Sequence, residues 1–373
     1  MERSQINSPI LAIMELANLV SVPMSLNAVI KLKVLDTIWQ DGFNNPLSAA
    51  EILSAVAVGP HADAENLQRI LRLLTSYGVF NEHIAGDGSG RRYSLTEVGK
   101  ALATDENGLS YAPYVLQHHQ DAIMLAWPLV HEAVLDPSSE PFVKVHGELA
   151  YSYYGKYPEM NLLMHGELPY SYYGKYPEMN LLMQKAMSGV SVPFMKAFLD
   201  GYDGFQGVET LVDVGGNSGE CLRMIMSKYQ SIKKGVKFDL PEVVEKAPKI
   251  PGIEHVGGDV LKSVPPGDAI FMKWILVACT DDECKQIFKN CFDALPPGGK
   301  LIVCDPLLPD RADDNRSSRA ILEADIYIMT MYRTKGKHRT ETECRELGLA
   351  AGFHNLKPKF NVDHYFTVLE FQK

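Results

Sequence analysis

The sequence predicts an α/β protein: a C-terminal half built on a mostly parallel sheet, preceded by a mostly helical N-terminal part. An apolar strand at residues 211–214 runs into a glycine-rich turn and then into a helical pattern at residues 220–228. Continuous apolar runs of this kind suit strands that are buried on both faces of a parallel sheet. Further predicted strands follow along the chain at residues 235–241, 253–260 and 268–274, and the last of these is continuously apolar before Lys273.

The turn after the first strand predicts a cofactor-binding loop. Gly215, Gly216 and Gly219 permit tight turning and close approach of the backbone to a ligand, and the helix that follows directs its free N–H groups at the turn. Such glycines can also serve packing alone, and that interpretation stays open at this point. Asp239 ends the next strand, where α/β nucleotide folds hold a ribose diol with a carboxylate.

The glycine spacing and the local charge indicate which cofactor the loop takes. The spacing is not G-x-G-x-x-G, and Asp213 and Glu220 flank the turn. Two carboxylates would repel a pyrophosphate but would tolerate a ligand that carries an ammonium and a sulfonium. S-adenosylmethionine carries both groups, so we expect it to be the cofactor.

Composition narrows the class of protein. The 373 residues are 46% apolar and 22% charged, with a net charge of −10, which describes a soluble chain long enough for two domains and argues against nucleic acid as a partner. We expect no membrane-spanning run and no signal peptide, and hence a cytoplasmic protein. The six cysteines form no C-x-x-C pair, so neither a disulfide framework nor a metal site is predicted.

The N-terminal part predicts a winged helix. Residues 9–40 are helical with little polar face, which indicates a buried element or a subunit contact. A capping-box start at residues 48–52, a helix at 66–77 and two short strands joined by residues 88–90 complete the pattern. Acidic residues lie around these helices without a basic stripe, which argues against DNA binding: Glu51, Asp63 and Glu65.

The middle of the chain holds a predicted helix at residues 111–135 and a tandem duplication. Tyr114 and His118 are four residues apart and share a helical face, although an exposed pair of adjacent histidines is an equally open interpretation. Residues 146–164 and 165–183 are nearly identical. Two copies are too few for a repeat architecture, so one copy is expected within the fold and the other in a lengthened connection, or as an error in the gene model.

The C-terminal part supplies further candidates for the ligand side of the sheet. A strand at residues 299–305 ends at Asp305, and a helix around residues 318–331 follows. The basic loop 332–339 is short enough to close over the same crevice, although a solvated loop is the more ordinary interpretation. A helix from residue 341 and a last apolar strand at 365–371 complete the chain.

From about residue 10 onward the chain resembles the plant caffeic acid O-methyltransferase family. The resemblance rests on several motifs in order: residues 211–219, 238–241, 256–259, 272–274 and 294–296. It implies a winged-helix dimerisation domain at 1–110, a helical connector at 111–195 that lines the acceptor site, and a Rossmann-like domain at 196–373. That domain is expected to have a mostly parallel seven-stranded sheet and to bind S-adenosylmethionine. A homodimer and a small-molecule acceptor, bound between the domains, are also implied.

The resemblance also implies site residues. Cofactor contacts are expected at Ser188, Gly215, Asp239, Leu240, Asp259, Val260 and Lys273. Acceptor contacts are expected at Tyr114, His118, His119, Trp274, Met329 and Arg333. Asn217 replaces the usual third glycine of the loop, and asparagine tolerates left-handed backbone better than most residues.

The chain departs from the family where the family's catalytic histidine stands. Val277 occupies that position, Asp305 keeps one of the two flanking carboxylates, and His338 aligns with the other. Replacement of both the histidine and one carboxylate, beside an intact cofactor loop, indicates a different acceptor. The lost histidine and the 332–339 loop resemble a branch of the family that methylates the pyridine nitrogen of nicotinate. An O-methyltransferase with His338 or His119 as substitute base, and an inactive dimeric binder, stay open as alternatives.

Overall fold

The structure is a computed structural model that describes residues 9–40, 42–56, 59, 61–84, 90–150, 191–247, 249–357, 360–363 and 365–373. These residues form two compact units, one made of the described residues up to Gln120 and one of those from Asp121 onward. The boundary falls inside the predicted connector, whose limits stay a prediction. Ser188 and all of the tandem duplication beyond Ala150 lie outside the described residues.

The first unit has the helices and the hairpin of a winged helix. Its hairpin pairs Phe80–Ile84 antiparallel with Arg91–Leu95, and a shorter pair joins Trp39–Gln40 to Phe43–Asn44. The helices are Pro9–Asn18, Ser21–Lys31, Val34–Ile38, Ala49–Ala55, Ala64–Ser76, Glu97–Leu102 and Ala112–His118. One apolar core joins Val29 and Ile30 of the second helix to the third, fourth and fifth helices and to the hairpin.

Two features read from the sequence explain how these helices begin and pack. The predicted capping box is confirmed: the Ser48 N–H donates to Glu51 Oε2 at 2.7 Å, and the Glu51 N–H donates to Ser48 Oγ at 3.3 Å. Helix Ala64–Ser76 buries Leu67, Leu71 and Leu74, which recur every three or four residues and form one apolar face.

The first helix, Pro9–Asn18, buries none of its residues. Its apolar side chains and those just beyond it are exposed: Ile10, Leu11, Ile13, Met14, Leu16, Leu19 and Val20. An 18-residue window within Pro9–Lys31 has a mean hydropathy of 1.6, so the stretch is long and apolar enough to cross a membrane by length and composition alone. The sequence-based expectation that no run reaches that length is therefore wrong, because the polar residues here are few and uncharged over most of the stretch.

The single helix predicted at residues 111–135 is also wrong, since the segment breaks into shorter pieces. After Ala112–His118 come Asp121–Ala126, a 3₁₀ turn at Trp127–Leu129, and Glu132–Leu135. The first break follows two histidines whose rings bond to the backbone of the preceding turn. The Nδ1 atoms of His118 and His119 lie 2.8 Å from the carbonyl oxygens four residues earlier in the chain. The 3₁₀ turn contains Pro128, which has no N–H to continue a helix.

The second unit is built on the predicted, mostly parallel sheet. Seven strands lie in the order Asn355–Leu356, Thr367–Gln372, Lys300–Asp305, Ala269–Lys273, Thr210–Val214, Lys234–Asp239 and Ile253–Gly257. The last five of these are parallel to one another, and Thr367–Gln372 is antiparallel to its neighbour. An eighth short strand, Phe360–Asn361, pairs with Thr367–Gln372 beside this path. The sheet differs from the expected seven strands only by this short addition.

Helices cover both faces of the sheet, which is why its strands read as continuous apolar runs. Residues 191–201 are helical, and Glu220–Lys228 follows the glycine turn with the bounds that the sequence predicted. The other helices are Pro141–His146, Pro241–Lys246, Asp281–Ala294, Arg316–Met331 and Glu341–Ala351. Two apolar clusters lie on opposite faces of the sheet, one around Phe288 and one around Phe198.

Candidate active site

The candidate site lies at the carboxyl ends of the parallel strands. Strand Thr210–Val214 has Lys234–Asp239 on one side and Ala269–Lys273 on the other, so the order of the strands reverses beside it. Ligands of open α/β sheets bind in the crevice at such a reversal. Asp239, Lys273 and Asp305 all end strands at this edge.

The glycine turn has the backbone that the sequence predicted. Gly215 and Gly219 have φ angles of 70° and 83°, in the left-handed region that favours glycine. Asn217 has φ 48°, so the expectation that asparagine would adopt the left-handed conformation is confirmed. A Cβ atom on Gly215 would lie 2.3 Å from Ile275 Cδ1, which shows how closely the turn approaches the neighbouring strand end.

Asp239 is oriented to accept hydrogen bonds from a ligand. Its Oδ2 accepts the Asn217 N–H at 2.9 Å, and its Oδ1 accepts the Leu240 N–H at 2.9 Å. A carboxylate at the end of this strand stands where α/β nucleotide folds hold a ribose diol. This geometry suits the ribose role that the sequence indicated.

A second carboxylate, Asp213, lies buried below the turn. Burial raises its pKa to about 7, against the opposing influence of the Lys273 cation. Its Oδ2 and the Asn217 Oδ1 are buried without a hydrogen-bond partner among the described residues. Unpartnered acceptors at a strand reversal fit a ligand that brings hydrogen-bond donors or positive charge. S-adenosylmethionine, with its hydroxyls, ammonium and sulfonium, meets that requirement.

The remaining predicted cofactor residues surround the same crevice. Asp259 lies beyond the end of strand Ile253–Gly257, where its Oδ1 accepts the Leu261 N–H at 3.0 Å. The Val260 carbonyl accepts the Asn290 side-chain amide at 2.7 Å. The Lys273 ammonium lies 5.6–5.8 Å from the centroids of three aromatic rings, those of Phe194, Trp274 and Phe366.

The three positions of the dismantled triad lie together. Val277, Asp305 and His338 line one small cavity of about 10 Å³, which is roughly the space of one water molecule. A short parallel pairing of Leu307–Leu308 with Arg339–Thr340 brings the strand that ends at Asp305 beside the loop that carries His338. Val277 is 5% exposed and has no group that could accept a proton. Of the predicted catalytic set, Asp305 and His338 are therefore neighbours.

The polar atoms of this cavity have few partners. Both carboxylate oxygens of Asp305 and both ring nitrogens of His338 are buried without a hydrogen-bond partner among the described residues. Burial raises the Asp305 pKa to about 7, despite the lowering influence of the Lys273 and Arg339 cations and of the nearby backbone N–H groups of Leu276 and Trp274. The His338 Nδ1 lies 3.5 Å from Asp325 Oδ1. Four such atoms in one cavity indicate a binding or catalytic role.

The loop above the cavity is held by buried and partly buried cations. Arg339, 3% exposed, donates to the Leu276 carbonyl at 2.8 Å and to the Cys279 carbonyl at 2.9 Å, on either side of Val277. It also donates to Asp281 Oδ1 at 2.8 Å. Arg333, the predicted acceptor contact on the same loop, forms a salt bridge with Glu283 at 3.1 Å.

The other predicted acceptor residues have distinct environments. Trp274 has a left-handed φ of 62°, which costs energy for a bulky residue and occurs mostly at functional sites. Met329 lies, half-buried, near the end of helix Arg316–Met331. In the first unit, the Tyr114 and His118 rings lie 4.2 Å apart, and burial lowers the His118 pKa to about 4. His119 is half-buried, and burial lowers its pKa as well.

Two residues of the site were missed by the sequence reasoning. Lys237 is fully buried below the glycine turn, and its Nζ donates to the Asn217 carbonyl at 2.6 Å. The signal was a lone lysine within an apolar strand. Arg339 was noted only as part of a basic loop, and nothing in its local sequence distinguishes it from the exposed Lys335 nearby.

The chain is similar to known proteins over nearly its whole length. A family model described as the O-methyltransferase domain matches residues 127–354, and one described as the O-methyltransferase dimerisation domain matches residues 14–105. Nicotinate N-methyltransferase 1 of Arabidopsis thaliana is 60% identical, over 97% of this chain and 96% of that protein. Caffeic acid 3-O-methyltransferase 1 of Ocimum basilicum is 40% identical, over 91% of this chain and 89% of that protein.

Solved structures agree with this assignment. A methyltransferase of calicheamicin biosynthesis, in its SAH-bound form, has a TM-score of 0.76 at 25% identity and covers 100% of this chain and 99% of its own. Human N-acetylserotonin methyltransferase in complex with SAM shares the fold, with a TM-score of 0.74 at 20% identity over 99% of each chain. The resemblance read from the motifs is confirmed: the chain belongs to the O-methyltransferase family, with the dimerisation domain of that family at its N-terminal end.

Proposed function

We propose that this protein is an S-adenosylmethionine-dependent N-methyltransferase that methylates the pyridine nitrogen of nicotinate, giving N-methylnicotinate (trigonelline). The observation that carries the proposal is the buried Val277 at the family's base position, beside a preserved cofactor crevice. Relatives of 60% and 61% identity that bear the name nicotinate N-methyltransferase 1 support the choice of acceptor.

A pyridine nitrogen explains why the base could be lost. A phenol must give up its proton before it becomes a good nucleophile at neutral pH, and a positioned base typically contributes roughly 10²–10⁴-fold to that step. The ring nitrogen of nicotinate already presents a lone pair near pH 7. Positioning and in-line alignment with the methyl group can then carry the transfer.

The cofactor is S-adenosylmethionine, which when bound supplies an electrophilic methyl group on a sulfonium. In our proposal Asp239, held by the N–H groups of Asn217 and Leu240, accepts the ribose hydroxyls. The buried Asp213 and the Lys273 ammonium set the charge of the crevice. The other proposed contacts are Ser188, Gly215, Leu240, Asp259 and Val260.

Asp305 and His338 keep a catalytic role of a different kind. Methyl transfer to nicotinate moves positive charge onto the ring nitrogen, and a carboxylate without partners in a buried cavity stabilises such a charge more strongly than one in water. We assign this electrostatic role to Asp305. His338, beside it, orders the cavity wall next to Val277.

The acceptor carboxylate needs donors, and we propose Tyr114, His118 and His119 for this task, with Trp274, Met329 and Arg333 as further acceptor contacts. The His118 Nδ1 faces the Tyr114 carbonyl and therefore carries its proton, so Nε2 donates only when the ring is charged. Because burial lowers the His118 pKa to about 4, the bound carboxylate must offset about 4 kcal/mol to charge this ring at pH 7. The nicotinate Michaelis constant should therefore fall as the pH falls from 8 to 6.

We also propose a cytoplasmic homodimer without nucleic-acid or membrane partners. Two observations support the dimer: the family's dimerisation domain and the exposed apolar side chains of helix Pro9–Asn18. A second subunit packed against this helix would bury those side chains. The net charge of −10 supports the absence of a nucleic-acid partner. Size-exclusion chromatography with light scattering tests the dimer, and vesicle flotation tests the membrane.

Separate assays of the purified full chain with S-adenosylmethionine and nicotinate, anthranilate or caffeate test the proposed reaction. Transfer to nicotinate alone supports it. Transfer to caffeate would support the second candidate, an O-methyltransferase, which the buried His338 imidazole favours because it lines the same cavity as Asp305. Cofactor binding without turnover on any acceptor would indicate an inactive family member.

A further inference from the structure

Lys237 is an unusual residue for its place in the fold. It lies in strand Lys234–Asp239 between Val236 and Phe238, and it is 0% exposed. Burial lowers its pKa, while the Asp239 and Asp213 carboxylates oppose that effect. Burying an ammonium is costly, so a lysine at such a site needs a compensating interaction.

The compensating interaction is with the cofactor turn. Lys237 Nζ donates to the carbonyl of Asn217 at 2.6 Å, a charge-assisted hydrogen bond to the residue that holds the left-handed φ of 48°. The stem of the lysine also packs below the turn: a Cβ on Gly216 would lie 2.8 Å from Lys237 Cγ, and one on Gly219 would lie 3.6 Å from Cδ. The glycines therefore allow the turn to rest on this side chain.

Asn217 is held from a second side as well. Its N–H donates to Asp239 Oδ2 at 2.9 Å, while its carbonyl accepts from Lys237. Through its N–H and its carbonyl, Asn217 thus links the buried Lys237 ammonium to the Asp239 carboxylate. If the carbonyl were released, the left-handed residue could relax and its N–H would no longer fix one oxygen of Asp239.

We propose that Lys237 is a positioning residue for S-adenosylmethionine, acting through Asn217 to orient the ribose-binding carboxylate Asp239. The lysine does not touch the cofactor. This proposal rests on the cofactor assignment of the proposed function but not on the identity of the acceptor.

The test is calorimetric binding of S-adenosylhomocysteine to the full chain. Lys237→Met keeps the apolar stem and removes the donor, and we expect it to raise Kd about 10-fold to 100-fold, the equivalent of one lost charge-assisted hydrogen bond. Lys234→Met is the matched control: this lysine lies on the same strand, pairs with Glu254 at 2.7 Å and is 56% exposed. The same change of charge there should leave Kd within two-fold of the wild type.

The route through Asp239 is tested by a double-mutant cycle. In an Asp239→Ala background there is no carboxylate left to orient, so we expect Lys237→Met to raise Kd by less than two-fold. An unchanged Kd for the single variant would overturn the proposal. A full additional loss in the Asp239→Ala background would overturn the route, because a merely structural role of Lys237 would weaken binding in both backgrounds.

Two further measurements separate folding from positioning. Urea unfolding of Lys237→Met shows whether a cooperative transition remains. If it is lost, Lys237→Gln, whose shorter amide cannot span to the carbonyl, replaces it in the same cycle with the same expected and contrary results. At saturating S-adenosylmethionine the Michaelis constant for nicotinate should stay within two-fold. Absence of transfer to nicotinate would contradict the proposed acceptor alone, since the binding experiment uses no acceptor.

Discussion

Asp305, to which we assign a role in the reaction, is expected to destabilise the folded protein when its carboxyl group is ionised. Burial raises its pKa from 3.8 to about 7, and neither oxygen has a hydrogen-bond partner among the described residues. The folded state therefore holds the proton more tightly than the unfolded chain. The contribution of this group to stability is complete below pH 3.8 and is lost as the pH rises through about 7.

The size of the effect follows from the pKa values. A rise from 3.8 to about 7 corresponds to about 4 kcal/mol, at about 1.4 kcal/mol for each pH unit. About 2 kcal/mol of this is lost between pH 5.5 and pH 8. Asp305→Asn removes the ionisation, so the free energy of unfolding of the variant, relative to the wild type, should increase by about 2 kcal/mol between these two pH values.

The assay is urea unfolding at pH 5.5 and pH 8, without cofactor and at one protein concentration, since association affects apparent stability. Comparing variant with wild type cancels the pH dependence of the other groups, including Asp213. Asp314→Asn, in an exposed loop of the same unit, is the control and should show a constant difference. If the Asp305→Asn difference also stays constant, or if the variant is the less stable protein at pH 8, the carboxylate has a stabilising partner and this reasoning is refuted. Turnover of nicotinate should fall in the same variant, because the electrostatic partner of the cationic ring is lost.

Three further predictions concern the reaction. Val277→His should leave nicotinate turnover unchanged or lower, because no proton has to leave and the cavity of about 10 Å³ has no room for a larger ring; a large gain in steady-state kcat would count against base-free transfer. Asp239→Ala should weaken cofactor binding by about 1.5–3 kcal/mol in calorimetry, as for hydrogen bonds to a charged group, with cooperative unfolding retained; unchanged affinity would show that the ribose site is misplaced. His118→Ala should raise the Michaelis constant for nicotinate much more than that for S-adenosylmethionine, and the nicotinate constant should no longer fall between pH 8 and 6. His119→Ala and Tyr114→Phe should have milder effects. Wild-type kinetics in all three variants would show that the donors to the nicotinate carboxylate lie elsewhere, at Arg333 or His338.

Local patterns were sufficient for most of the second unit. The apolar runs and the glycine turn predicted the parallel strands, and helix Glu220–Lys228 has the predicted bounds, because a strand buried on both faces leaves a strong signal in a short window. At Asn217, which replaces the family's glycine, the tolerance of asparagine for left-handed backbone agrees with the observed φ of 48°.

The broken helix and the two missed site residues all involve a side chain that bonds to a backbone carbonyl. The segment predicted as one helix from residue 111 breaks where His118 and His119 bond to the carbonyls one turn back, a side-chain effect that apolar periodicity does not register. The roles of Lys237 and Arg339 depend on partners 20 and about 60 residues away in sequence. Long-range hydrogen bonds leave no local pattern, so these two residues could be found only in the structure.

The two carbonyl bonds of Arg339 have a consequence for how this enzyme family changes chemistry. One guanidinium spans the turn that carries Val277, and the residue before it in the chain is His338. Arg339 thus joins the former base position, through the carbonyls on either side of Val277, to His338, its neighbour in the chain. We expect the backbone around Val277 to keep its shape when the side chains beside it are exchanged, so laboratory variants that aim at other nitrogen heterocycles should leave Arg339 unchanged and vary Val277 and His338.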